Sequence, residues 1–155
     1  MVIYLYKFYT FMNLNYFEIG ICCGKIEANY GTLMRSAYQL GADGVFTIGA
    51  KYRRVAADTP NATKHIPCRN YQDVDDFIAG IPRGCEIVAI EDNGKPLKDF
   101  LHPKFAIYLL GNESTGIPGE ILARCDSIVS IESIRHYSYN VAVAGSIVMY
   151  DRMFK

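Results

Sequence analysis

The run FAIYLLGNESTGIPGEILAR, residues 105–124, sets the reading of the whole fold. Its first six residues, Phe105–Leu110, are almost wholly apolar, the mark of a short strand buried on both faces. Gly111 stops the run, and Gly116 follows five residues later with polar residues between, which suggests a tight loop whose backbone can approach a ligand. Pro118 then sits where a first-turn proline is tolerated, so a helix is expected over 118–124.

A strand, a tight loop and a helix make up much of a βαβ unit, and the rest of the chain repeats that order. Strands are expected at 16–22, 44–48, 86–90, 105–110 and 127–131, and helices at 31–40, 73–79, 118–124 and 140–154, with Asp73 as an N-cap. The expectation is an α/β fold with a mainly parallel sheet flanked by helices. A chain of 155 residues forms one such domain. We assign it to 16–155 and read 1–15 as an N-terminal extension, an extra edge strand, or an upstream start before Met12.

The last helix is apolar almost all round, with Val141, Val143, Ala144, Ile147, Val148 and Tyr150, so it should be covered on more than one side. In a chain this short the second cover is expected to be another copy, giving a homodimer through this helix. Ala142, Ala144, Gly145 and Ser146 would let a partner backbone come close, and Val148→Glu is expected to weaken that contact, unless Val148 faces the chain's own core, in which case folding itself suffers.

Sixteen basic residues balance sixteen acidic ones, which is not the strongly basic footprint of many nucleic-acid binders. The charge is uneven, however. Residues 51–69 hold Lys51, Arg53, Arg54, Lys64 and Arg69 against Asp58 alone, a strip able to hold a phosphate backbone. The cysteines Cys22, Cys23, Cys68, Cys85 and Cys125 form no CxxC pair and are odd in number, so neither a zinc site nor a disulfide framework is indicated. The opening MVIYLYKFYTFMN is broken by Lys7 and too short to span a bilayer, and it lacks the small-residue site of a secretory signal. The reading is a cytoplasmic protein with reduced thiols and no membrane partner.

GxGxxG, GxxxxGK[ST], HExxH and GxSxG are all absent. His65, His102 and His136 are scattered and read as surface or packing residues, His136 drawing notice only because it precedes a polar loop. Three segments stand out. In 29–36, Asn-Tyr-Gly opens a helix whose free N–H groups suit an anion, with Arg35 one turn on for a forked phosphate contact. In 111–118 the glycine loop falls at the carboxyl end of a strand, where α/β sheets bind ligands. In 138–144, Ser138 and Asn140 sit at the mouth of the final helix, where either can cap it.

In this order the three segments resemble the three motifs of the SpoU (TrmH-like) family: Asn-x-Gly-x-x-x-Arg, then Gly-x-Glu-x-x-Gly-Ile, then Ser-x-Asn-Val before a C-terminal helix. The resemblance covers about nine tenths of the chain. It implies a C-terminal deep trefoil knot, a homodimer, and an S-adenosylmethionine-dependent RNA ribose 2′-O-methyltransferase that uses no metal. It places the methyl donor against Ile90, Gly111, Ile131, Ser138 and Tyr139, and the active site at Asn29, Arg35, Glu113 and Asn140. Without an appended RNA-binding domain, the RNA would be gripped by the dimer surface, with Lys51, Arg53 and Arg54. The ribose at the tRNA wobble position is the first expected substrate and ribosomal RNA the second. Two other readings stay open: a knotted enzyme that methylates a base nitrogen, and a catalytically degenerate module that binds RNA or the donor. The departures from the family pattern are Glu132 in place of proline, Tyr139 in place of leucine, and a 131–138 loop one residue short and without its glycine.

Overall fold

In the computed structural model of the protein, the described residues are 15–24, 27–50, 61–135 and 137–155. Six strands form one sheet: β1 (Tyr16–Cys22), β2 (Gly44–Ile48), β3 (Cys68–Tyr71), β4 (Glu86–Pro96), β5 (Phe105–Leu110) and β6 (Ser127–Ser130). Their spatial order is β3-β2-β1-β5-β4-β6, and every neighbouring pair is parallel. Among the described residues the helices are α1 (Glu27–Gln39), α2 (Val74–Gly80), α3 (Gly119–Leu122) and α4 (Val141–Phe154).

Strand alternation builds two cores on the two faces of this sheet. Phe17, Ile19 and Ile21 of β1 and Tyr108 and Leu110 of β5 face α1 and α4, where they meet Leu33, Met34, Val148 and Met149. Ile107 and Leu109, one residue out of phase, face Phe77 of α2 and Ile121 of α3 with Phe46 and Ile48. The result is the three-layer parallel fold expected from the alternating pattern. The sheet's C-terminal edge carries the loops of the second and third motifs, and the first motif lies in α1, the helix that follows β1.

The boundaries differ instructively. Helix α1 begins at Glu27, so Asn29 lies inside its first turn and does not open it; Gly31, read as part of a start signal, is buried in the helix body. Strand β3 was not expected, because CRNY has no apolar period and pairs only with β2 at the sheet edge. Helix α3 is shorter than expected, with Pro118 as its N-cap, whereas Asp73 caps α2 as expected by accepting from the Asp76 N–H (2.9 Å). Strand β4 continues past Ile90 through an irregularity: Ile90 pairs with Val129, and so does Lys95. Residues 91–94 therefore bulge from the ladder, held by Ser130 Oγ donating to Gly94 O (2.9 Å).

Helix α4 lies closer to its own sheet than its composition suggested. A Cβ on Gly145 would fall 2.5 Å from Leu33 Cδ1 and 3.0 Å from Leu110 Cδ1, so the absent side chain serves this chain's own core. Val148 is fully buried there, so of the two outcomes expected for Val148→Glu the impaired folding is the one its position supports. The helix's C-terminal end is clasped to the β4–β5 connection. Arg152 donates to Pro103 O (2.6 Å) and the Tyr108 hydroxyl (3.0 Å), and Lys155 donates to Leu97 O (2.6 Å) and pairs with Asp151 (2.8 Å). His102 bridges Tyr108 Oη (2.6 Å) and Asp151 Oδ2 (2.9 Å), the packing role expected of it.

Candidate active site

The C-terminal ends of β4, β5 and β6 lie side by side, and the loops that leave them enclose a cavity of about 480 Å³. Ile90, Gly111, Ile131, Ser138 and Tyr139, the five positions assigned to the donor, all line it. The volume is of the size that holds a nucleoside-sized ligand.

The glycine loop is built to stay open toward this space. Asn112 Oδ1 accepts the N–H groups of Ser114 (2.8 Å) and Thr115 (2.9 Å), and its Nδ2 donates to Thr115 Oγ1 (2.8 Å). Asn112 and Gly116 exchange backbone hydrogen bonds across the loop (3.3 and 3.1 Å). Gly116 has φ +66°, which favours glycine, and a Cβ on Gly111 would fall 2.4 Å from the Gly116 carbonyl carbon. The two glycines of the motif are thus required by each other.

Three of the four expected active-site residues come together beside the cavity. Buried Asn29 on α1 donates through Nδ2 to Glu113 Oε1 and accepts from Asn140 Nδ2 (3.0 Å) through Oδ1. Asn140 in turn caps α4, its Oδ1 accepting from the Ala142 (2.9 Å) and Val143 (3.4 Å) N–H groups. One chain of hydrogen bonds therefore joins residues 84 and 111 positions apart. Both asparagine side chains are oriented by partners at each end, which fixes their amide geometry.

Arg35 is not part of this group. It is exposed on α1 and does not line the cavity. Lys51, Arg53 and Arg54, His136, and residues 1–14 of the expected N-terminal segment lie outside the described residues. Arg69, counted in the basic strip, instead pairs with the buried carboxylate of Glu18 on β1, so its charge is already engaged. Sequence reading missed Glu91, Asp92, Asn112 and Ser114 in the cavity wall. Ending the fourth strand at Ile90 hid the first two, although a residue just past a strand's carboxyl end is where a ligand contact is expected.

The departures in the 131–138 loop have local compensation. The Tyr139 hydroxyl donates to Glu132 O (3.1 Å), and Glu132 Oε1 accepts from the Lys98 N–H (3.4 Å). The two unusual residues brace the loop that they change. Among the described residues no group of three or more His, Cys, Asp or Glu is placed to hold a metal, and no helix is long and apolar enough to cross a membrane.

A second concavity, about 450 Å³, runs along the outer side of α4 between Thr32 and Leu97, floored by Val143, Ile147, Tyr150 and Phe154. It is mostly apolar and uncovered.

Residues 21–150 match the model of the SpoU rRNA Methylase family. The chain is 24% identical over 142 residues to the tRNA (guanosine(18)-2′-O)-methyltransferase of Escherichia coli K12, covering 86% of this chain and 62% of that protein. It therefore spans about three fifths of the curated relatives it matches. A solved structure described as giving insight into the 2-OH methylation of C/U34 on tRNA superposes with a TM-score of 0.79 at 24% identity, covering 89% of this chain and 94% of that one. The AviRb methyltransferase of Streptomyces viridochromogenes, solved with AdoMet, gives 0.77 at 21% identity over 90% of this chain and 57% of that one. The A. aeolicus TrmH/SpoU tRNA modifying enzyme gives 0.80 at 19% identity, covering 96% and 82%.

Proposed function

The chain belongs to the SpoU family of RNA methylases, and on that footing we propose that it transfers a methyl group from S-adenosylmethionine to a ribose 2′-hydroxyl of RNA. The observation that carries this reading is the hydrogen-bonded Asn29–Glu113–Asn140 group set beside a cavity lined by all five expected donor positions. The cavity's size suits the donor, and the glycine loop that walls it is held in shape by the close packing of Gly111 on Gly116. When bound, the donor supplies a methyl group on a sulfonium, already a good electrophile.

What the protein must add is aim and proton management. Alignment of a hydroxyl at contact distance is worth about 7–11 kcal/mol. The asparagine pair, locked at both ends, offers amide groups in fixed positions, and Asn29 holds the Glu113 carboxylate in place. Guanidinium stays charged in proteins, so Arg35 serves as a phosphate anchor and a stabiliser of the developing alkoxide rather than as the base. The hydroxyl proton leaves to a phosphate oxygen or to water.

Arg35 enters the reaction if the chain is a homodimer, which we propose through the α4 groove. Thr32 lines that groove, and Arg35 lies one turn along α1, at the edge where a second copy would sit. The trefoil knot belongs to the same proposal. Its support is that the chain leaves β6 at the sheet edge, yet α4 returns to pack on Leu33, Leu110 and Ile19 near the sheet's centre. For substrate we favour the ribose at tRNA position 34, because the likeness to the C/U34 structure spans 94% of that protein; ribosomal RNA is second. The setting is the cytoplasm, with Lys51, Arg53 and Arg54 against the RNA.

Calorimetry with S-adenosylmethionine and its demethylated product tests the donor site. Binding in the micromolar range is expected, and no heat for either ligand at about 1 mM, a standard free energy weaker than about 4 kcal/mol, would remove the basis for catalysis.

A further inference from the structure

Glu91 stands at the break in β4, half-buried in the cavity wall. Its Oε1 accepts the Ile117 N–H at 2.5 Å, and a Cβ on Gly116 would fall 2.6 Å from that same oxygen. Glycine at 116 is what lets the carboxylate reach across from β4 to the loop after β5. Asp92 and Glu113 share the wall, and among the described residues lining the cavity there is no Lys, Arg or His. Of these three carboxylates Asp92 and Glu113 are exposed, and Glu113 is turned to Asn29. Glu91 is therefore the least screened, and in a partly enclosed site its charge is felt more strongly than in water.

S-adenosylmethionine and its demethylated product share adenine, ribose and amino-acid groups, so contacts to those parts cannot tell them apart. They differ by one methyl group and by the positive charge on sulfur. Resting on the donor reading of this cavity, we propose that Glu91 makes the site prefer the cationic donor to its neutral product, and so favours exchange of product for donor after each turnover. Glu91 also positions the glycine loop through Ile117, and the two roles are separable. In Glu91→Gln an amide oxygen remains for the Ile117 N–H while the charge is gone; in Glu91→Ala both are gone.

The test is calorimetry on the full chain with S-adenosylmethionine and with S-adenosylhomocysteine, beside thermal melts. The parent protein is expected to bind the donor at least about five-fold more tightly than the product. Glu91→Gln should weaken donor binding by about five- to ten-fold, leave product binding within about two-fold, and melt within about 2 °C of the parent. Glu91→Ala should weaken both ligands, since the loop loses its tether. If Glu91→Gln weakens the two ligands alike or neither, or if the parent binds product as tightly as donor, the charge role is overturned while the donor site stands. If the parent binds neither ligand, the donor reading itself fails and the proposal falls with it.

Discussion

At the residue scale, the test of the active-site assignment is Arg35. It is exposed and free of the Asn29–Glu113–Asn140 group, and in the proposed reaction it acts on substrate rather than on the fold or the donor. Arg35→Ala is expected to lower methyl transfer at least about ten-fold, since one charged transition-state contact is worth about 3 kcal/mol, with donor affinity within about three-fold. Arg35→Lys should rescue poorly, because a point charge does not reproduce the planar fork. Single-turnover rates beside calorimetry decide it. A parental rate in Arg35→Ala would make the residue surface decoration, and lost donor binding would move it into the cavity. Glu113→Ala breaks the other end of the group and should slow transfer while leaving Asn140 as the α4 cap. The motif residues were legible because the three motifs follow strands in order and carry a recognisable spacing. Glu91 was not, since its significance comes from a contact 26 residues away with the Ile117 N–H, which no local pattern announces.

At the scale of elements, α4 carries the clearest lesson. Its near all-round apolar character raised the expectation of cover on more than one side, but sequence alone did not say which residues face this chain's own sheet. Val148 is fully buried against this chain's own sheet, whereas Val143, Tyr150 and Phe154 stay exposed along the groove, at 45%, 58% and 61%. Charging the outer side, as in Val143→Glu or Tyr150→Glu, should shift sedimentation from dimer toward monomer with the melting temperature of the monomer little changed. Val148→Glu should instead destabilise the fold by more than about 3 kcal/mol, the cost of an unpaired charge in a core. A parent that sediments as a monomer at micromolar concentration removes the dimer proposal. The strands were legible where both faces are buried, as in β1, β2 and β5. The edge strand β3 escaped because CRNY carries no apolar alternation, and α1 was begun too late because Asn29 and Gly31 imitate a helix start.

At the scale of the whole molecule, the clasp at the end of α4 ties the last helix to the sheet and gives the fold an acid limit. Burial lowers the pKa of His102 below its ordinary 6.5. A neutral ring also suits its neighbours: the Tyr108 hydroxyl accepts from Arg152 and donates to Nδ1, while Nε2–H donates to Asp151. Burial alone would raise the Asp151 carboxyl, but hydrogen bonds from Lys155 and His102 outweigh it and hold its pKa below the usual value. With the folded pKa of His102 depressed, the unfolded chain takes up the proton first. Stability is therefore full above pH 6.5 and falls as pH drops below it toward the folded value. Melts between pH 8 and pH 5 should show that decline, and His102→Gln should flatten it; an unchanged slope would place the acid sensitivity elsewhere. Such a clasp joins groups far apart in sequence, so it was invisible beforehand, while the three-layer parallel architecture was legible from alternation alone. The central claim concerns chemistry on RNA, and nucleoside mass spectrometry tests it most directly. Purified chain, total tRNA or ribosomal RNA and isotopically labelled S-adenosylmethionine are incubated, and the RNA is digested to nucleosides. The account predicts label on a 2′-O-methylated nucleoside, strongest with tRNA and reduced at least about ten-fold in Arg35→Ala; label on a base, or none from a chain that binds the donor, would contradict it.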